Sequence, residues 1–510
     1  MHSGSIGVKA SPGGKNTTKR QRHPRGALLL MFTELWERFS FFGMKGILVL
    51  FLSSSLSEGG FGWDPARAIA FTGLYGGFVY LSGVAGGWFA DRVIGISDSV
   101  VWGGFILVCG HLLLGGIELA PAIVEAVSGH DVKQLLIAVD VSLGRVWLDD
   151  SVRQQFESLN DPNATSAALF AMTLSSAFFY SGIVCIVIGT GLFKTPLTVL
   201  LGRLYDNRET MREEGFTLYY VGMNVGAFVA PFIVGSLAEN VSWAWGFSAA
   251  AAGMILGLIV FLYRRGSLPD VGKSDASSGS YPVLSQREKR RLFGLTLLGA
   301  FAALFWIAFE QIFGFLNLFV FEKVDRNIFG FTVPATWFLS LNPILIVLLA
   351  PLLASLWTRL SLRGRNPNIV EKFCLGLVAL SAAFGVLLIT SLISSDGRFP
   401  AFAIILAYGL VTLSELVLWT SSLAFVTRIS PPQIAGAVMG AWYLALALGS
   451  IGGGFVGAAI STLSTLNAFI ILTGSVVMSM LTLFLMRPMI SRYLDLNEME
   501  KPVSSVGQSL

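Results

Sequence analysis

Four ionisable residues stand in a stretch otherwise apolar enough to enter a lipid bilayer. The segment FTELWERFSFFGMKG, from Phe32 to Gly46, carries Glu34, Glu37, Arg38 and Lys45, with GALLLM just before it and ILVLFL just after. At 100° per residue, Glu34, Glu37, Arg38, Phe41 and Lys45 fall within an arc of about 100° on a helix. The charges therefore form one polar stripe. A salt-bridged structural stripe is the plain alternative, since Glu34 and Arg38 are spaced i, i+4. Each charge near mid-bilayer costs about 2.5–3.5 kcal/mol, however, so ionisable groups there point first to function.

Other apolar stretches hold three more: Lys194 in GTGLFKTPL, Glu310 in FWIAFEQ and Glu415 in LVTLSELVLW. Together, Glu34, Glu37, Glu310 and Glu415 face Arg38, Lys45 and Lys194. If these groups share a cavity, the excess acid resists ionisation in low dielectric and one glutamate holds a proton, the signature of a proton relay. GTGLFKT is not a phosphate-binding loop, because no glycine directly precedes Lys194 and the segment is apolar. With no soluble nucleotide-binding region, an ATP-driven pump is set aside. His111 reads as a packed or hydrogen-bonded histidine. Cys109, Cys185 and Cys374 fit neither a disulfide nor a zinc pattern, and no metal site is expected.

The elements that must position these groups are membrane helices. Of 510 residues, 54% are hydrophobic and only 13% charged, about half the charge of a soluble chain. The net charge of +4 is too small and scattered for nucleic-acid binding. Twelve apolar spans are expected, at 27–56, 67–90, 98–119, 167–201, 214–237, 245–263, 292–321, 336–360, 369–393, 400–427, 436–461 and 466–486. Each is near or above the roughly 20 residues that a bilayer needs. The expected organisation is a basic tail (1–26), a six-helix bundle (27–264), a polar linker (265–291), a second six-helix bundle (292–487) and a tail (488–510). Lys and Arg collect in the tails, the linker and the loops of one parity, which puts both termini in the cytoplasm. An acidic insert at about 120–166 then falls on the outer side. Its piece VKQLLIAVDVSLGRVWL reads as an amphipathic helix or hairpin on the membrane surface.

After the second span, GGWFADRVIG reads G-x-x-x-D-R-x-x-G, with Gly87, Asp91, Arg92 and Gly95. The glycines permit close helix approach and a tight turn, and Asp91 can accept from helix N-termini. With six plus six spans, this pattern resembles the major facilitator superfamily, an all-α membrane fold of two six-helix bundles.

Helix 1 is further similar to the E-x-x-E-R-F-x-Y-Y-G signature of proton-coupled oligopeptide transporters, matched by Glu34, Glu37, Arg38, Phe39 and Gly43. GTGLFKTP, FTLYYVGMNVGAFVAP, FWIAFEQ, SLNPILIVLLAP and SELVLW resemble other segments of that family. The resemblance implies no enzyme but a symporter, importing di- and tripeptides by alternating access with protons as the coupling ion and no other cofactor. It implies that Glu34, Glu37, Arg38, Lys194 and Glu310 couple proton movement. It further implies that Lys45 binds the peptide carboxylate in exchange with Glu310, and that Glu415 receives the amino group. Phe41, Phe42, Tyr80, Asn224, Trp306, Asn342 and Trp442 would line the pocket. Phe41 and Phe42 stand where the family has a tyrosine pair, and Lys45 where it usually has arginine. The expected setting is a monomer, multi-pass in the plasma membrane (the inner membrane of a bacterium), whose partners are a small peptide and the bilayer. A symporter of another small anion or zwitterion, or a non-transporting peptide sensor, is the alternative.

Overall fold

The computed structural model describes residues 23–132, 162–206, 211–268, 284–394, 399–431 and 434–496. Among these, the chain is almost entirely helical. The first helix, α1 (Arg25–Ser53), carries the charged stripe. In its half of the chain follow α2 (Pro65–Ile94), α3 (Ile96–Gly115), a short α4 (Leu119–Ser128), α5 (Pro162–Leu204), α6 (Arg212–Asn240) and α7 (Trp243–Ser267). The other half comprises α8 (Gln286–Lys323), α9 (Ala335–Leu362), α10 (Ile369–Ile393), α11 (Ala401–Ile429), α12 (Ala435–Ser461) and α13 (Thr465–Tyr493). Eleven of the described helices are long and apolar enough to cross a membrane; α1, at 29 residues, is the twelfth long helix and is set apart by its charges.

Local sequence signals mark where these helices start. Pro65 occupies the first turn of α2, and the Asp64 carboxylate accepts from the Ala66 N–H at 3.0 Å. Ser285 with Glu288 caps α8, and Asn368 with Glu371 caps α10, each pair satisfying two backbone N–H groups. At 43 residues, α5 would be about 65 Å long, twice the thickness of a hydrocarbon core. It begins five residues before the expected span. Its first turns stay ordered because Ala167, Ala168 and Ala171 pack with Val124 of α4 and Val132. The amphipathic piece of the acidic insert lies, beyond Val132, outside the described residues.

Both described chain ends lie on one face, called here the basic face. On the far face the two halves are held together. An added Cβ on Gly73 of α2 would come within 2.4 Å of the Gly454 Cα of α12, so only glycine permits this crossing. The Asn317 amide donates to the Gly46 carbonyl at 2.7 Å, and the Trp337 indole N–H to Ser236 Oγ at 2.8 Å. Four short strands also lie there. β1 (Val324–Asp325) pairs in parallel with β4 (Phe399–Pro400), while β2 (Asn327–Ile328) and β3 (Phe331–Thr332) form an antiparallel pair.

Candidate functional site

The stripe on α1 is a buried ion cluster. The Arg38 guanidinium grips Glu37 with Nε on one carboxylate oxygen and with Nη2, at 2.6 Å, on the other. Its Nε also lies 3.3 Å from Glu34 Oε1, and the Tyr219 hydroxyl of α6 donates to Glu34 Oε2 at 2.6 Å. The guanidinium fork is spent on Glu37, while Glu34 Oε1 shares the cation as an ion pair, with no hydrogen bond among the described residues. None of the three is more than 3% exposed. Phe41 lies under the guanidinium, 4.8 Å from its ring centre.

Two turns along, Lys45 leaves its own helix for the other half. Its ammonium donates to Glu310 at 2.8 and 3.1 Å and lies 4.3 Å from the Phe313 ring centre. Glu310 opens a 3-10 turn, Glu310–Ile312, that interrupts α8. A buried pair of this kind pays heavy desolvation and stands only while both partners remain.

Glu415 is differently placed. It directly precedes a π turn, Leu416–Thr420, in α11. Its carboxylate accepts from the Asn342 amide at 2.8 Å, and Asn342 also donates to Thr412 Oγ1 at 3.2 Å. No cation pairs with it among the described residues. One turn on, Trp419 meets Trp306 of α8 edge to face at 5.2 Å and Tyr443 of α12 at 5.9 Å. The indole N–H groups of Trp306 and Trp442 are buried without a hydrogen-bond partner among the described residues. Lys194 has no carboxylate partner among the described residues; its ammonium lies 5.8 Å from the Tyr80 ring centre. Asn224 is buried, and its amide is spent on the Tyr220 carbonyl at 2.9 Å.

The seven charges expected as one set thus divide into a three-residue cluster, a pair across the halves, a glutamate held by an amide and an unpaired lysine. The acid left over is Glu415. His111 is hydrogen-bonded as expected, 2.7 Å from Ser40 Oγ, and Ser40 also donates to the Ala250 carbonyl at 3.0 Å. Between α2 and α3, Gly95 turns the chain alone with φ +101°, which favours glycine. Asp91 departs from expectation. A π turn, Ala90–Ile94, leaves it exposed, and it makes no hydrogen bond among the described residues. Asp98, in the first turn of α3, meets Arg265 instead, at 3.4 Å.

Sequence reasoning missed a polar lock on the far face. Glu239, at the end of α6, accepts from the backbone N–H groups of Ala335 (2.8 Å) and Thr336 (2.9 Å), and from the Thr336 hydroxyl (2.7 Å). Arg326 joins it at 3.3 Å. All four donors belong to the other half. The only signal was an acidic residue at the end of an apolar span, an ordinary place for one.

The twelve long helices, with ion pairs within and between the two halves, have the build of the major facilitator type, shared with solved peptide transporter structures. The sequence profile of the POT family matches residues 97–277 and 277–472, and the chain belongs to that family. It is similar to the peptide transporter YePEPT of Yersinia enterocolitica, 28% identical over 503 residues, with 85% of this chain and 88% of that protein covered. It is also similar to a di-/tripeptide transporter of Lactococcus lactis, 27% identical, with 83% and 86% covered. Among solved structures, a peptide transporter POT in complex with sulfate has a TM-score of 0.75 at 26% identity, covering 92% of this chain and 96% of that one.

Proposed function

We propose that this protein is a proton-coupled symporter that imports di- and tripeptides by alternating access. The observation that carries the reading is the Lys45–Glu310 pair, a buried ion pair joining the two halves. A peptide carboxylate can take Lys45 from Glu310, and the freed Glu310 then accepts a proton to remain buried. Breaking this bond releases one of the links between the halves, so substrate and proton act on the same joint. Glu415, without a cation partner among the described residues, is matched to the peptide amino group. A zwitterionic peptide thus spans from Lys45 to Glu415, with Phe41, Phe42, Tyr80, Asn224, Trp306, Asn342 and Trp442 as walls of its pocket.

On this reading Glu34, Glu37, Arg38 and Lys194 carry the proton step. Lys194 is free of a carboxylate partner within the described chain, so it can answer a change of charge on Glu37 by moving toward it. Gly87, Asp91, Arg92 and Gly95 form the turn at the gate opposite the far-face seal. The basic face is cytoplasmic, in keeping with the excess of Lys and Arg there. The protein acts as a monomer in the plasma membrane, with bundles spanning 27–264 and 292–487 joined by the linker 265–291.

The test is reconstitution into liposomes with an inward proton gradient and labelled di-alanine. Accumulation that collapses when the gradient is removed is the expected result. Binding of di-alanine without flux would replace the symporter by a sensor. Neither binding nor flux across a panel of di- and tripeptides would sink the peptide reading.

A further inference from the structure

The rim of the basic face holds a polar cavity. It has a volume of about 540 Å³ and lies between the loop joining α9 to α10 and the end of α11. Ser361, Asn366, Lys372, Ser421 and Arg428 bring donors to it from three helices and that loop. None of these side chains has a hydrogen-bond or ion-pair partner among the described residues. Lys372 is half-buried, and its ammonium lies 4.8 Å from the centre of the Trp357 ring, which holds it without neutralising it. The first residue of α10, Ile369, also lines the cavity, so the positive end of a 25-residue helix opens there.

Among the described residues the carboxylates nearest the cavity are already committed: Asp495, beside the lining residue Leu496, is held by Arg287 at 2.9 Å and Arg291 at 3.2 Å. Glu371 caps α10 through the Asn368 N–H at 2.9 Å and is gripped by Arg487. Within the described chain the cavity therefore gathers an ammonium, a guanidinium, two hydroxyls and an amide with no uncommitted acid to balance them, beside a helix N-terminus where Asn368 and Glu371 already cap two N–H groups. That donor set suits a tetrahedral oxyanion. Arginine offers a fork to two oxygens, lysine a point charge, and the hydroxyls can rotate to whatever oxygens remain.

We propose that this cavity is an anion site for a phosphate group. At the edge of a membrane protein the group has two sources, the headgroup of an anionic phospholipid or soluble phosphate. Both present the same oxygens, but a headgroup brings acyl chains that lie against the apolar flanks of α9 and α11.

The experiment uses the full-length protein in nanodiscs of phosphatidylcholine, alone or with added phosphatidylglycerol. Inorganic phosphate is titrated into the phosphatidylcholine discs. Thermal stability and, after release into detergent, lipid retained in native mass spectrometry are read for the wild type. The same readings are made for Lys372→Gln/Arg428→Gln and for a control, Arg264→Gln/Arg265→Gln, elsewhere on the same face. We expect phosphatidylglycerol to raise the melting temperature and to be retained, with retention falling about tenfold or more in the cavity variant and little in the control. A shift given by inorganic phosphate alone, and lost in the cavity variant, assigns the site to a soluble phosphate. No shift with either probe, an unchanged shift in the cavity variant, or an equal loss in the control overturns the proposal. These readouts are binding and stability, so they stand apart from whether peptides are the cargo.

Discussion

Arg38 and Lys45 lie seven residues apart on α1, each holding a carboxylate, and the two pairs answer to different motions. Arg38 and Glu37 are neighbours in one helix, with Glu34 one turn back. Any rigid movement of one half against the other leaves that cluster whole. Lys45 and Glu310 belong to different halves, 265 residues apart in sequence, and a movement that opens the far face must part them. The first arrangement can change only through its protonation and its neighbours. The second can change through geometry. The proposed conversion of a proton into a motion needs one of each, and α1 carries both.

The sharpest way to break this contrast is Lys45→Ala. It strands Glu310 in a site without a cation, and removing one partner of a buried pair typically costs about 3–5 kcal/mol. Gradient-driven uptake of peptides with a free carboxylate should fall at least a hundredfold, on the order of that cost converted to a rate. Amidated peptides should lose much less. Adding Glu310→Gln should recover thermal stability without recovering uptake. Equal losses for free and amidated peptides would make Lys45 a structural residue only.

Glu37→Gln tests the other side. The pair with Arg38 lies within one helix, so the halves should still move. Accumulation against a gradient should be abolished while counterflow exchange of labelled peptide persists. Full gradient-driven uptake in this variant would remove Glu37 from the coupling step.

The lock at Glu239 gives a smaller effect in the same sense as Lys45. Glu239→Ala removes four cross-half contacts, one of them to a cation. Charge-assisted bonds are worth about 1.5–3 kcal/mol, some of it recovered by water at this rim. The variant should favour the state open on the far face by about tenfold. An impermeant maleimide should then label a Ser340→Cys reporter faster from the outside. An unchanged labelling rate would mean that the seal rests on the packing of α2 against α12, not on Glu239.

Sequence reading reached the stripe, the stray charges and the twelve spans for one reason. A charge inside an apolar run is conspicuous, and the i, i+3, i+4 spacing of Glu34, Glu37 and Arg38 places them on one helix face whatever surrounds it. Pairing was less accessible. Nothing local tells Lys45 to choose Glu310 rather than Glu415, since that depends on where α8 changes to a 3-10 turn; only the family resemblance put Lys45 in exchange with Glu310. Asp91 was given a bond that its π turn withholds, because a single residue of register rotates a side chain by about 100°. Glu239 and Arg326 stayed unseen because a polar residue at the end of a span is indistinguishable from one that merely faces water. The early start of α5 was hidden for a related reason. Asn163, Thr165 and Ser166 look like loop, while the alanines that bury its other face carry little hydrophobic signal.

The smallest expected effect sharpens the account of the cluster itself. Tyr219 ties Glu34 to α6 by one hydroxyl, so α1 is not wholly free of its neighbours. Tyr219→Phe keeps the ring and deletes only that donor. The lost bond is charge-assisted but can be partly replaced by Arg38, which already lies 3.3 Å from the other oxygen of Glu34. A net cost of about 1 kcal/mol follows, or roughly fivefold in the apparent affinity for the driving proton. Peptide affinity at saturating proton should be unchanged, because Lys45 and Glu415 are untouched. Uptake measured against pH in liposomes separates these two quantities. If peptide affinity falls with proton affinity unchanged, Tyr219 belongs to the peptide pocket, and the division of α1 into a proton cluster and a moving joint is drawn in the wrong place.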